Sequence, residues 1–173
     1  MQIKLPLILI AGIGSLLLNA CKTSETLDQK VEKLLSQLTL EEKISLIHGN
    51  TYFTTPAIPR LGIPALHLSD GPCGVREEND PDSWNSANWT NDATAYFPAL
   101  TSLASSWNHE LAAEFGYAYS EEAIARGKDI MLAPGLNIHR TPLNGRNWEY
   151  MSEDPFLTSR FAVSFIKAAQ SKG

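Results

Sequence analysis

Apolar residues recur at helical spacing in several stretches of the chain, and two short apolar runs lie between them. Residues 27–38 place Leu27, Val31, Leu34, Leu35 and Leu38 on one face of a helix. A second helix starts after Thr39: "TLEE" puts Glu42 three residues past a Thr, the pattern of a capping box, and Leu40, Ile44 and Ile47 form its stripe up to Gly49. Residues 101–126 predict one long helix through Leu103, Trp107, Leu111, Phe115, Ala118, Glu122 and Ala125, with Gly127 just past its end. A last helix over 156–171 carries Phe161, Phe165, Ile166 and Ala169 on one face. The runs "ALHLS" (65–69) and "DIMLAP" (129–134) predict buried strands, and "TTPAIPRLGIP" is held extended by its prolines.

The order from the first strand onward is strand, long polar loop, helix, strand, long polar loop, helix. Strands alternating with helices predict an α/β fold with a parallel sheet and helical crossovers. Ligands in such folds gather beyond the carboxyl ends of the strands. The two polar loops, 71–98 and 135–155, leave the strands at that end, and loops of such length in a compact domain usually carry function.

The amino terminus belongs to a different problem. Lys4, an apolar run from Leu5 to Leu18 and small residues leading into Cys21 have the layout of a secretory signal peptide. The run is shorter than the roughly 20 residues a membrane-spanning helix needs. "LNAC" resembles a bacterial lipobox, which makes residues 1–20 the signal, Cys21 the lipidated first residue, and 21–26 a polar tether. The alternative is an ordinary signal cleaved near Ala20, with Cys21 an incidental thiol. Lys22, in place of the Asp that retains lipoproteins at the inner membrane, favours a periplasm-facing outer-membrane protein held by a lipid anchor.

Charge and cysteines narrow the chemistry. A net charge of −5 and a pI near 5.3 leave no electrostatic footprint for nucleic acid. Cys73 is the other cysteine, has no Cys or His neighbour at metal spacing, and reads as a packed small residue. No metal site, cofactor motif, phosphate loop or serine-nucleophile motif is expected from the sequence.

The loop residues are unusual for surface filler. "NGRNWEYMSEDP" (144–155) combines acids, an arginine and two aromatics, the groups that bind hydroxyls and stack on flat faces. Asp70, following the first strand, can accept two hydroxyl hydrogen bonds through one carboxylate; before Gly-Pro it can equally form a turn. Arg146 suits a ligand site, or can pair with Glu149 or Asp154. Glu153 and Asp154 precede a helix and are accounted for by capping and the helix dipole. His139 beside Arg140 reads as a structural histidine, and of Trp148 and Tyr150, which flank Glu149, at least one ring is expected to pack inward.

The segments "LTLEEKISLIHG", "IPRLGIPALHLSDGPCGVR", "ATAYFPALTSLASSWN" and "LAPGLNIHRTPLNGRNWEYMSEDP" closely resemble glycoside hydrolase family 3 of the β-glucosidase type, over essentially all of residues 27–173. The resemblance implies an N-terminal (β/α)₈-like TIM barrel and retaining, exo-acting release of non-reducing β-glucosyl residues without a cofactor. It implies that Asp70 and Arg146 bind the glycone in the −1 subsite. The family's Lys-His pair, nucleophile aspartate and acid/base glutamate have no counterpart among these residues. A whole barrel takes about 250 residues, so the chain is expected to be the first part of a longer enzyme, cut within the barrel, with its chemistry beyond residue 173. β-Xylosidase or a related exo-glycosidase is the alternative within the family. A non-catalytic carbohydrate-binding lipoprotein is the alternative outside it.

Overall fold

The computed structural model describes residues 25–89 and 92–172. The expected signal peptide and Cys21 lie outside the described residues. The chain divides after Thr39 into two compact units.

In the first unit, helix α1 (Leu27–Gln37) starts at a reciprocal cap that the sequence reading missed. Thr26 Oγ1 accepts from the Gln29 amide at 3.2 Å, and Gln29 Oε1 accepts from the Thr26 amide at 2.9 Å. Its apolar stripe from Leu27 to Leu35 is exposed.

The second unit opens with α2 (Leu40–Ser45), a helix of six residues, whose Glu42 carboxylate takes the Arg60 guanidinium (Nε to Oε1, 2.7 Å). Two strands follow, β1 (Leu68–Asp70) and β2 (Ile130–Leu132). They pair in parallel with Leu68 opposite Ile130, Ser69 opposite Met131 and Asp70 opposite Leu132. The expected parallel arrangement is present.

Both strands are shorter than the apolar runs that announced them. The first half of "ALHLS" is used by another partner: Thr55 N donates to Leu66 O and Leu68 N to Phe53 O, around an antiparallel bridge between Thr54 and His67. Those bonds lie on the edge away from β2; on the β2 side, His67 O accepts from the Asp129 and Ile130 amides at 2.8 and 3.2 Å, and His67 N donates to Asp129 Oδ2 at 2.8 Å. The expectation of a buried second strand is corrected, since Ile130 and Leu132 stand exposed and Met131 packs against the core.

The long helix expected over 101–126 is two helices, α3 (Leu100–Ser105) and α4 (His109–Ala125). Asn108 breaks it. Its side chain caps α4 by accepting from the Glu110 and Leu111 amides at 2.9 and 3.1 Å, and Trp107 takes a positive φ of 54° to make the corner. The break also re-phases the buried face. Ala112, Phe115, Gly116, Tyr119, Ser120 and Ala123 face inward, while Trp107 and Leu111 from the expected stripe are exposed.

Helix α5 (Pro155–Gln170) matches its expected face, with Phe161 and Phe165 buried and Ile166 and Ala169 packed against the core. Asp154 caps it, accepting from Phe156 N at 2.8 Å, as the capping argument for this acidic pair requires of one of its members. Glu153 is exposed. Helices α4 and α5 approach so closely at Gly116 that a Cβ there would lie 2.3 Å from the Phe165 carbonyl oxygen. The core between them joins Leu100, Leu103, Phe115, Tyr119, Met151, Phe161 and Phe165 with Cys73 and Val75 from the first loop.

Candidate functional site

Asp70 is the last residue of β1, half-buried, at the carboxyl edge of the two-stranded sheet. The turn after it is built tightly. Gly71 adopts φ +144°, and a Cβ there would fall 1.8 Å from the Gly74 carbonyl oxygen, so the backbone can fold over itself only because position 71 lacks a side chain. Arg76 N donates back to the Asp70 carbonyl at 3.2 Å and closes the turn. From beneath, the buried Tyr119 hydroxyl donates to the Gly71 carbonyl at 2.5 Å. Burial pushes the Tyr119 phenol well above its ordinary range, with a further upward push from the Asp70 carboxylate. The Tyr119 phenol stays protonated at neutral pH, and its hydrogen bond ties the Asp70 turn to α4. Sequence reasoning missed this role; the available signal was a tyrosine among apolar residues on a helix.

The loop after β2 brings the second candidate. A short 3₁₀ turn over Asn147–Glu149 rests on α3, where Thr101 Oγ1 donates to the Tyr150 carbonyl at 2.7 Å. Gly135 lets this turn approach the exit of β2, since a Cβ there would lie 2.6 Å from the Glu149 carbonyl oxygen. Tyr150 packs inward and Trp148 outward, as the alternation around Glu149 implied. Arg146 precedes the turn with its side chain largely in solvent, and its Nε donates to Oε1 of the buried Glu149. That hydrogen bond and the Glu149 charge hold the guanidinium above its ordinary pKa, and the Asp70 carboxylate adds to the effect. Asp70 and Arg146 are brought to one end of the sheet, and Glu149 is the acid that sets the direction of the arginine.

Other polar residues of this loop take different places. Asn137 and Arg140 line a cleft of about 630 Å³ with Leu136, Ile138, Thr141, Asn144 and Tyr150; neither Asp70 nor Arg146 is part of its lining. His139 has its Nε2 buried without a hydrogen-bond partner, which corrects its reading as a fully satisfied structural histidine. Cys73 is free and 2% exposed, a packed core residue as expected. Among the described residues no cluster of His, Cys, Asp or Glu could hold a metal ion.

An acid and a charged arginine presented from successive βα loops are suited to several hydroxyls of one polyol. Residues 86–173 match the model of the glycosyl hydrolase family 3 N terminal domain, just over half of the chain. The chain belongs to glycosyl hydrolase family 3. Beta-glucosidase BoGH3A of Bacteroides ovatus is 51% identical over 150 residues, which cover 87% of this chain and 20% of that protein. Thermostable beta-glucosidase B of Acetivibrio thermocellus is 44% identical, over 83% of this chain and 19% of that one. Among solved structures, beta-glucosidase 3B from Thermotoga neapolitana in complex with glucose superposes with a TM-score of 0.71 at 44% identity, covering 83% of this chain and 22% of that one. Beta-glucosidase from Kluyveromyces marxianus in complex with glucose gives a TM-score of 0.73 at 37% identity, covering 82% of this chain and 16% of that one. The chain spans about a fifth of the length of the curated relatives it matches.

Proposed function

We propose that this chain is the glycone-holding part of a retaining exo-β-glucosidase and forms the opening portion of a (β/α)₈-like barrel. The single observation that supports this most is the placement of Asp70 and Arg146 on adjacent βα loops at the carboxyl ends of the paired strands, with Gly135 just past β2 set against Glu149. Retaining glycosidases use two carboxylates about 5–5.5 Å apart, one as nucleophile and one as acid and then base. Asp70 is assigned to neither role. It accepts hydrogen bonds from two glycone hydroxyls, and Arg146, steered by Glu149, donates to a neighbouring one. Contacts to sugar hydroxyls that tighten as the ring flattens lower the barrier as well as the dissociation constant.

The lipobox at "LNAC" supports a second part of the reading, an outer-membrane lipoprotein anchored through Cys21 with this unit facing the periplasm or the surface.

The test of the sugar site is nitrophenol release from an aryl β-glucoside by the protein in the full length its gene encodes. Asp70→Asn should lower kcat/KM by two orders of magnitude or more, with kcat itself reduced. A normal kcat/KM for Asp70→Asn overturns the reading, and a strong preference for the aryl β-xyloside moves the specificity to the xylosidase alternative.

A further inference from the structure

The loop that carries Arg146 also holds the one Asn-Gly pair of the chain, Asn144–Gly145; every other asparagine precedes a residue with a side chain. The pairing has a chemical consequence. Asparagine is thermolabile, because the backbone nitrogen that follows it can attack its side-chain carbonyl carbon. A glycine in the following position, lacking Cβ, reaches the folded-back geometry of that attack with least hindrance.

The local structure leaves the pair open to this reaction. Asn144 and Gly145 are both exposed, and a Cβ added at Gly145 would meet nothing within 4 Å, so no neighbour crowds the ring that must close. Gly145 and Arg146 are the central residues of a turn in which Asn147 N donates to Asn144 O at 3.4 Å. Among the described residues no group accepts from the Gly145 amide, which is left to exchange its proton with water. The Asn144 carboxamide is restrained by one exposed contact, its Nδ2 donating to Asn147 Oδ1 at 2.9 Å. Asn144 also lines the cleft that contains Arg140.

We propose that Asn144 deamidates spontaneously, and that the product loosens the hold of the Arg146 loop on the glycone. The first half stands on the loop's own chemistry, and the second rests on the sugar-binding reading above. Gly145 N loses its proton to water and bonds to the side-chain carbonyl carbon of Asn144; the bond from that carbon to Nδ2 breaks and ammonia leaves. Water then opens the cyclic imide at one of its two carbonyls and leaves an aspartate or an isoaspartate at position 144, with no change of oxidation state. Either product removes the donor to Asn147 Oδ1 and sets a carboxylate two positions from Arg146, where it competes with Glu149 for the guanidinium. The isoaspartate also adds a methylene to the backbone of the turn that carries Arg146.

The test is ageing of the protein, in the full length its gene encodes, in mildly acidic and mildly alkaline buffer. Tryptic digestion then releases residues 141–146 as one peptide, whose mass reports the exchange of amide for carboxylate. Conversion should be faster in alkali, as loss of the Gly145 proton requires, and about tenfold slower in Gly145→Ala, which restricts the backbone that the ring closure needs. Converted protein should lose about 10- to 100-fold in kcat/KM on an aryl β-glucoside, the scale of a displaced positioning group. Aged Asn144→Gln, whose longer side chain closes the ring poorly, should keep the activity it had when fresh. An unconverted Asn144 under conditions that convert a free peptide of residues 141–146, equal conversion in Gly145→Ala, unchanged kcat/KM in converted protein, or an equal loss on ageing in Asn144→Gln would overturn the proposal. Failure of the parent reading looks different: fresh wild-type protein then hydrolyses no β-glucoside, the mass change at Asn144 still appears, and only the effect on the glycone falls.

Discussion

Arg146 Nε donates to Glu149 Oε1 across three residues of the 144–155 loop, and the two partners live in different environments, the arginine mostly in solvent and the glutamate buried. A buried acid beneath an exposed cation acts as an orienting post. It limits the directions the guanidinium can take, which in the proposed site would aim its remaining donors at the glycone. Glu149→Gln keeps the shape but removes the charge-assisted bond. The expected outcome is a 10- to 100-fold fall in kcat/KM on an aryl β-glucoside, roughly what a small misplacement of a positioning group costs. Circular dichroism should show the fold retained.

The loop 71–98 is pinned to the end of α4 by charge. Asp92 binds Arg126 and accepts from the Glu78 amide, and Glu78 pairs with Lys128. Burial pushes the Asp92 carboxyl up, but the Arg126 hydrogen bond, the Glu78 amide and the charges of Arg126 and Lys128 outweigh it and hold the native pKa below the ordinary value. A depressed native pKa means stabilisation that is complete above the ordinary carboxylate value of about 3.9 and is lost as the pH falls through the lower native value. Asp92→Asn should therefore lower the melting temperature at neutral pH and differ progressively less from wild type under acid. Melts at several pH values check this; a constant difference across the acid range refutes it.

Gly116 faces the Phe165 backbone rather than a side chain that could move away. Gly116→Ala should push α4 and α5 apart and destabilise the fold by about 1–3 kcal/mol, despite the better helix propensity of alanine. Chemical denaturation provides the measurement. Stabilisation by the substitution would show that the two helices can slide.

Asp154 and Glu153 separate capping from catalysis. Asp154→Ala should cost about 1 kcal/mol through loss of the α5 cap. Glu153→Gln, at an exposed position, should leave both the melt and the rate per folded molecule close to wild type. A rate abolished by Glu153→Gln in a folded protein would place a working carboxylate in this loop.

For the proposed anchor, Cys21→Ala should release the protein from the membrane fraction of cells that still export it. Persistence of the variant in washed membranes would remove the lipid from the reading.

The parallel strands, their order with the helices, the inward face of α5 and the concentration of charged and aromatic residues in two loops were all legible along the chain. These follow from local patterns: apolar periodicity, proline and glycine punctuation, and polar residues placed after strand positions. The break at Asn108 was locally visible only as a cap residue inside a run whose periodicity continued on both sides, and the chain alone did not say which signal would win. Packing decided it, because the corner at Trp107 turns Ala112, Phe115 and Tyr119 toward α5 in place of Leu111. Likewise the pairing of residues 53–55 with the edge of the 66–68 segment away from β2 joins positions that no local pattern links. Of the partners open to Arg146, the short-range turn at 147–149 selected Glu149 by burying it beneath the guanidinium. The placement of Asp70 and the Arg146 loop at one end of the sheet joins residues 76 positions apart and exists only because β1 and β2 lie side by side, in register at Asp70 and Leu132.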